Sequence, residues 1–384
     1  MSTSNSEYTK LRWGMTIASL CLYAADIWTD ICLTMRYFQE KHYLWSGLTL
    51  GFMLTGLLVS QIFSYAWYID DTNDIFINPN GKTTIAGLSK AGLGTLHLLC
   101  LGIFTRYYQL LKKGFGVLWR SDHSLTREEH REKHHTLFCM ATDLSMLKLF
   151  ESFLESVPQL LLQVYVILFS HREASILQYL SMVFSFLSTA WALVDYRRCL
   201  RRSLPRISEM PSGLPTVVYL LYKLGTITSL VLSYSLYLLL SSYSTVALSL
   251  VWFAMIMWTN IIDTNFCSSR GLEILYRAVV GVILTFTFFN VKGQDTKIPM
   301  SIYYTIFSLI TVTSPILVSV LKPEFNGNIL LALDILILGG LFLGLFCLVL
   351  YYVLLHPKSM EQAADEVDGQ ENKSEKRIKI FLQP

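Results

Sequence analysis

The sequence has little of the charge that a water-soluble domain needs. Charged residues make up 15% of its 384 residues and apolar residues 53%, and the mean hydropathy is +0.44. A soluble domain of this length carries a larger charged fraction, so the composition indicates that lipid solvates most of the chain. The net charge of +3 gives no indication of a nucleic-acid partner, and none is expected.

Cysteine pairs and enzyme motifs are also missing. The seven cysteines include no CxxC pair and stand at positions 21, 32, 100, 139, 199, 267 and 347. This pattern implies neither a disulfide framework nor a zinc site. His97 has no second ligand at metal spacing and is expected to be a hydrogen-bonded packing residue. Without GxSxG, HExxH or a nucleophile with a base at useful spacing, neither an enzyme nor a cofactor is expected.

What the sequence does contain is a series of apolar stretches long enough to cross a bilayer, roughly 17 to 25 residues each. The polar start, residues 1–12, runs into the first stretch without a cleavage site, so we expect a retained first helix. Eight stretches predict spans: Trp13–Phe38, Leu44–Ile69, Leu144–Phe169, Ala174–Tyr196, Thr216–Leu240, Thr245–Phe266, Met300–Leu321 and Ile329–Leu355.

Two further apolar stretches, Ile85–Leu111 and Leu272–Asn290, differ from lipid-facing spans. The first is interrupted by Lys90 and Arg106. The second leaves a clean apolar run that is too short to cross. We expect both to be re-entrant helical hairpins that insert partway, a geometry that needs protein around it.

The positions of the basic residues predict the topology. Twelve of the 31 lysine and arginine residues fall between positions 106 and 133 and in the linker 197–215, whereas the short connections predicted outside hold only Lys41, Arg172 and Lys322. Positive-inside asymmetry then places both termini in the cytosol. The fold class is therefore an all-α polytopic membrane protein with eight spans and two hairpins. Its order suggests two pseudo-repeats, 13–196 and 216–355, followed by a cytosolic regulatory tail, 356–384.

The tail contains a protease recognition sequence. Its polar composition predicts an extended, accessible segment. Within it, Asp365, Glu366, Val367 and Asp368 precede Gly369. An executioner caspase needs an accessible strand with aspartate before the scissile bond and a small residue after it. We therefore predict cleavage after Asp368.

A basic and apolar segment follows the predicted cut. Its apolar members are Ile378, Ile380, Phe381 and Leu382, interleaved with lysine and arginine. Such a segment can dock on a protein surface or lie on anionic inner-leaflet lipid, and the sequence favours neither. Our hypothesis is an autoinhibitory plug that proteolysis removes.

Long segments of the chain resemble a known family. They are Tyr23–Asp30, TDLSMLKLFESFLESVPQ at 142–159, WALVDYRRCLRRSL at 191–204, the segment 275–297, and YYVLLHP ending at Pro357. The chain resembles the XK-related family, and within it the caspase-activated scramblase subgroup. The resemblance implies ATP-independent, bidirectional phospholipid movement that exposes phosphatidylserine on apoptotic cells at the plasma membrane. It implies an executioner caspase as activating partner and leaves open an accessory single-span subunit.

Ionisable residues inside the predicted spans are candidate functional groups because they are costly to bury in a bilayer. Asp26 and Asp30 are four residues apart and share a face of the first span. Lys148, Glu151 and Glu155 share a face of the third span.

These charges have two interpretations, and both remain open at this point. They can form a polar stripe that lowers the barrier for lipid headgroups, or buried ion pairs that fix helix packing, with Lys148, Lys90 or Arg277 as the cation. Pro158 is expected to kink the third span.

Two rival functions remain. Buried carboxylates and half-inserted hairpins also build solute transporters and ion channels. A non-transporting membrane partner protein is the other alternative.

Overall fold

The computed structural model describes residues 8–73, 89–119, 126–170, 176–203, 213–241, 243–262, 264, 266–267, 269–290, 297–323 and 327–355. All regular structure within these ranges is helical, which agrees with the predicted fold class. The α-helices are α1 Lys10–Gln39, α2 Tyr43–Asn73, α3 Lys90–Leu98, α4 Gly102–Trp119, α5 Arg127–Glu151, α6 Val157–Ser170, α7 Ile176–Ser203, α8 Leu214–Leu240, α9 Tyr243–Ile262, α10 Arg270–Phe286, α11 Lys297–Leu321 and α12 Gly327–Leu350.

Seven helical segments of the described chain are long and apolar enough to cross a bilayer. They are Lys10–Gln39, Tyr43–Asp71, Glu128–Phe169, Leu214–Leu240, Tyr243–Ile262, Lys297–Leu321 and Gly327–Leu355. Each contains or closely overlaps a predicted span, because a run of apolar residues in lipid must satisfy its own backbone hydrogen bonds as a helix. The multi-pass helical architecture is therefore confirmed.

The predicted number of eight spans is not confirmed. The remaining stretch, Ala174–Tyr196, coincides with α7, which is not among the seven. The second half of α7 carries Asp195 and Arg197, so its apolar part is shorter than the helix. The predicted pseudo-repeats are likewise not confirmed.

The first predicted hairpin corresponds to two helices joined by a sharp turn. α3 and α4 are separated by three residues, and Cys100 in this turn has a positive φ of 59°. The second predicted hairpin contains one helix, α10, and residues 287–290 then continue without helical structure. The described structure thus supports a helical pair in the first case and a single helix in the second.

The third span departs from regular α-helical geometry near the predicted kink. α5 and α6 are joined by a π-helical turn at Ser152–Ser156, two residues before Pro158. Proline lacks the backbone N–H and its ring clashes with the carbonyl four residues earlier, so the preceding turn must rearrange. That carbonyl belongs to Leu154, inside the π-helical turn. A second π-helical turn, Tyr351–Leu355, follows α12.

The described chain forms two compact units. One contains the helices up to Glu151 and the end of α7 from Cys199, and the other contains Ser152–Arg198 and the helices from α8 onward. In the second unit α8 and α12 approach closely at glycines. A Cβ atom on Gly225 would lie 2.6 Å from the Gly340 carbonyl oxygen and 3.0 Å from the Gly344 amide nitrogen. Small residues permit this backbone contact, as is common between membrane helices.

Candidate functional site

The first unit contains a cluster of ionisable side chains contributed by α1 and α5. On α1, Asp30 is buried and Asp26 is half-buried, one helical turn apart. On α5, Lys148 and Glu151 are also one turn apart, which places both on one face. Only 5% of Glu151 is exposed. The sequence-based prediction that each pair shares a face is consistent with this helical placement.

The structure brings these four side chains together. The Glu151 carboxyl group lies within electrostatic range of Asp26, Asp30 and Lys148, and the Tyr23 hydroxyl group faces the same carboxyl. The cluster therefore combines three carboxyl groups with one ammonium group. A buried group of this composition needs the cation, water or protons to offset the repulsion between the carboxylates.

The lysine of this cluster is held in place by hydroxyl groups. The Lys148 Nζ donates a 2.7 Å hydrogen bond to Ser19 Oγ on α1. Ser19 Oγ is also 3.0 Å from the Tyr107 hydroxyl oxygen on α4. Lys148 Nζ lies 5.9 Å from the centre of the Tyr107 ring. These contacts join α1, α4 and α5 at the position where the carboxyl groups meet.

Two predicted members lie in the second unit. Glu155 is buried within the π-helical turn that follows α5. Arg277 of α10 forms a separate polar cluster: its Nε lies 3.4 Å from Glu273 Oε1, and it donates hydrogen bonds to Thr264 Oγ1 at 3.0 Å and Asn260 Oδ1 at 2.8 Å. These contacts agree with the interpretation of Arg277 as a packing residue that joins α9 to α10.

A buried ion pair that the sequence reading did not identify connects α4 to α5. Arg106 Nη1 lies 3.3 Å from Asp143 Oδ2, and both side chains are buried. The same guanidinium group donates to Ser64 Oγ at 2.8 Å and Ser64 O at 2.9 Å, and lies 4.1 Å from the centre of the Tyr68 ring. The available signal was a charged residue inside one apolar stretch, Arg106, and another at the edge of a second, Asp143. Their pairing depends on how the helices pack.

His97 completes this network. Its Nδ1 is 2.8 Å from the Leu93 carbonyl oxygen, so Nδ1 carries the proton, and its Nε2 is 3.0 Å from Ser64 Oγ. Ser64 therefore donates to His97 and accepts from Arg106. Both ring nitrogens take part in hydrogen bonds, as expected for a packing histidine. Within the described part of the chain no group of three potential ligands could hold a metal ion.

The second unit buries two cations among tyrosines. Arg197 Nη1 donates to the hydroxyl groups of Tyr219 and Tyr352, each at 3.1 Å. Lys223 Nζ donates to Thr287 Oγ1 at 2.9 Å and lies 4.7 Å from the centre of the Tyr222 ring. The first of these contacts connects α7 and α8 to the π-helical turn that ends the described chain. Neither cation was singled out from the sequence.

The predicted caspase site, Asp365 to Gly369, lies outside the described residues. The same is true of the predicted autoinhibitory residues Ile378, Ile380, Phe381 and Leu382. Both stay predictions from the sequence.

A set of helices that can span a bilayer, with charged clusters buried between them, defines a polytopic helical membrane protein. A family model described as XK-related protein matches residues 14–357. The chain is 54% identical to XK-related protein 9 of Tetraodon nigroviridis over 382 residues, which is 99% of this chain and 100% of the relative. It therefore belongs to the XK-related family.

More distant relatives support this assignment. XK-related protein 8 of Tetraodon nigroviridis is 30% identical over 94% of this chain and 87% of its own length. XK-related protein 8 of Pan troglodytes is 30% identical over 90% of this chain and 85% of its own length. The predicted family is confirmed.

Proposed function

We propose that this chain is a phospholipid scramblase that moves phospholipids, including phosphatidylserine, in both directions between the leaflets without ATP. The observation that carries the proposal is the cluster of Asp26, Asp30, Lys148 and Glu151 between α1 and α5, in which Asp30 and Glu151 are buried and Asp26 and Lys148 half-buried, in a member of the XK-related family. Both helices belong to segments that can span a bilayer.

The cluster supplies what a crossing headgroup lacks in hydrocarbon. A polar headgroup that leaves water without new partners faces a large desolvation cost. Carboxylates can contact the amine of a headgroup, and the ammonium group of Lys148 can contact its phosphate. The acyl chains stay in the apolar phase throughout. No covalent bond is made or broken, so the proposal requires neither a catalytic residue nor a cofactor.

The proposed topology has eight spans, with α7 as the eighth, and both termini in the cytosol of a plasma-membrane protein. α3 with α4 and α10 are the partially inserted elements, and the two halves of the chain form pseudo-repeats. The excess of basic residues between 106 and 133 and in 197–215 supports this orientation. The sequon Asn372-Lys373-Ser374 tests it, because a cytosolic tail stays unglycosylated. A glycosidase-sensitive mass shift would contradict both the orientation and the caspase switch.

The proposed switch is caspase cleavage after Asp368, which releases an autoinhibitory segment. While the segment is tethered, its effective concentration is about millimolar, so weak binding is enough to keep its target occupied. Cleavage releases it to dilution. The substrate-like sequence Asp365 to Gly369 supports the switch.

The switch is tested in cells that lack other scramblases. After caspase activation, phosphatidylserine exposure is measured for the wild type, Asp368→Ala and a control in the same tail, Glu361→Ala. Wild type and control are expected to expose phosphatidylserine, and Asp368→Ala is not. Equal exposure by all three proteins would remove the switch.

Lipid transport itself is tested with purified protein. A chain that lacks Gly369–Pro384 is placed in liposomes with labelled phospholipid, and an impermeant reductant reports how much inner-leaflet label reaches the outside. A scramblase exposes the label without an ion gradient. The buried carboxylates also suit a solute transporter or channel, which would leave the label protected. Activity that requires an added single-span protein would identify an accessory subunit.

A further inference from the structure

One face of α4 is aromatic and basic, although the opposite face is buried. Tyr108, Lys112, Phe115 and Trp119 are spaced four, three and four residues apart, so they form a single stripe along the helix. The three rings are exposed by 61%, 44% and 44%, and Lys112 is exposed as well.

The first turn of α1 extends this stripe. Lys10 Nζ lies 5.5 Å from the centre of the Trp119 ring. Trp13 packs edge-on against Trp119, with ring centres 5.0 Å apart, and its Nε1 donates to the Leu111 carbonyl oxygen at 3.0 Å. Phe115 stacks on Trp119 at 5.0 Å. The aromatic surface is therefore fixed by packing and a hydrogen bond.

The charge of this surface is positive. The α4 sequence contains no aspartate or glutamate, and the first turn of α1 contains none either. Lys112 Nζ lies 5.5 Å from the centre of the Tyr108 ring. Both ammonium groups thus lie on aromatic rings, one towards each end of the stripe. This arrangement complements an anionic group that arrives with apolar chains attached.

The position of the stripe selects the source of that anion. Lys10 begins α1, a helix that can span the bilayer, so its first turn lies where a span meets the membrane surface. Exposed aromatic rings favour this interfacial depth, and lysines near it attract anionic lipids. The stripe then runs inward from Trp119, because Tyr107, next to Tyr108, contacts Ser19, which lies further along α1 than Lys10. Rings that extend from the interface into the apolar phase suit a lipid with acyl chains better than an acidic protein partner.

We propose that Tyr108, Lys112, Phe115, Trp119 and Lys10 form a binding surface for the headgroup region of anionic phospholipids. The proposed topology places this surface at the cytosolic leaflet. That placement rests on the proposed function's topology, whereas the binding of anionic lipid does not depend on it. None of these five residues is a member of the carboxylate cluster, and the role of the surface is to hold anionic lipid beside the first unit.

The test measures lipid binding to purified full-length protein by native mass spectrometry, with phosphatidylserine and phosphatidylcholine as probes. Each lysine near an anionic lipid contributes enough to change affinity by about fivefold. The variant Lys10→Gln/Lys112→Gln is therefore expected to bind phosphatidylserine about 25-fold more weakly, since the two contributions multiply. Phosphatidylcholine binding stays unchanged. Lys10→Arg/Lys112→Arg retains phosphatidylserine binding because the charge and ring contact remain.

The matched control removes the same charge elsewhere. Arg131→Gln/Lys133→Gln changes two exposed basic residues of α5 and is expected to retain binding. Equal losses in both glutamine variants would overturn the proposal, because they would indicate general charge attraction. Equal binding of the two lipids by the wild type would overturn it too. If soluble glycerophosphoserine competes as strongly as phosphatidylserine itself, the surface is a site for a soluble anion, and the proposal of a lipid-binding surface is overturned.

The result is independent of lipid transport. Binding is measured on protein that need not be cleaved or active. Loss of the proposed surface would leave the scramblase proposal intact. Conversely, a transport-inactive protein that keeps the lysine-dependent preference for phosphatidylserine would support the surface and refute the proposed function.

Discussion

Replacement of Lys148 by methionine tests whether this lysine offsets the buried carboxylates of the cluster. The Lys148 ammonium group is the cation among the charges that act on Glu151, and the others are the carboxylates of Asp26 and Asp30. Without it, Glu151 remains buried and faces two like charges. Removal of one partner from a buried ion pair costs about 3 to 5 kcal/mol. We therefore expect Lys148→Met to lower the free energy of unfolding by an amount in this range.

A double substitution measures how much of that loss comes from the pairing. In Lys148→Met/Glu151→Leu both charges are replaced by apolar groups of similar size, a change that is often close to neutral. If Lys148 and Glu151 are coupled, the double variant is more stable than Lys148→Met alone. The non-additive part gives their interaction energy, and residues in one network differ from additivity by about 0.5 to 3 kcal/mol.

The assay is thermal unfolding in detergent, followed by the loss of the monodisperse peak in size-exclusion chromatography. Lys133→Met is the control, because it changes an exposed lysine on the same helix, and such changes stay within about 0.5 kcal/mol. If Lys148→Met unfolds at the same temperature as this control, Lys148 does not offset a buried charge, and the reasoning is wrong.

Transport by the double variant then decides between the interpretations. Its chain without Gly369–Pro384 is reconstituted in liposomes beside the tail-truncated wild type. A stable double variant with normal lipid movement would show that Lys148 and Glu151 only fix helix packing. A stable double variant whose transport rate falls at least about tenfold would support a polar path, since tenfold corresponds to about 1.4 kcal/mol in the barrier.

Three further predictions use the same unfolding assay. Arg106→Met leaves the buried Asp143 carboxylate without its guanidinium partner, and we expect a loss of about 3 kcal/mol or more; unchanged stability would contradict the importance of this pair. Gly225→Ala places a methyl group against the backbone of α12 and should cost about 1 to 3 kcal/mol, whereas Gly339→Ala, with nothing within 4 Å of its added carbon, should not destabilise. Arg197→Gln removes two hydrogen bonds to tyrosine hydroxyl groups and should cost about 1 to 3 kcal/mol; a stability equal to wild type would show that these contacts add nothing.

The amino-acid sequence by itself determined the class of protein and the positions of most helices. An apolar run in lipid has few alternatives to a helix, because the backbone must satisfy its hydrogen bonds within the segment. The 3.6-residue period also placed Asp26 with Asp30, and Lys148 with Glu151, on common faces. These features depend on local sequence, so they could be predicted without the fold.

Only the tertiary structure decided which charged groups meet. Lys148 has its hydroxyl contact on α1, Arg106 pairs with Asp143 on another helix, and Arg277 lies in a cluster of its own. The close approach at Gly225 likewise needs α12. Such contacts depend on how each helix is rotated about its axis and where it crosses its neighbour. Packing of side chains from distant parts of the chain fixes both, and neither hydropathy nor helical period contains that information.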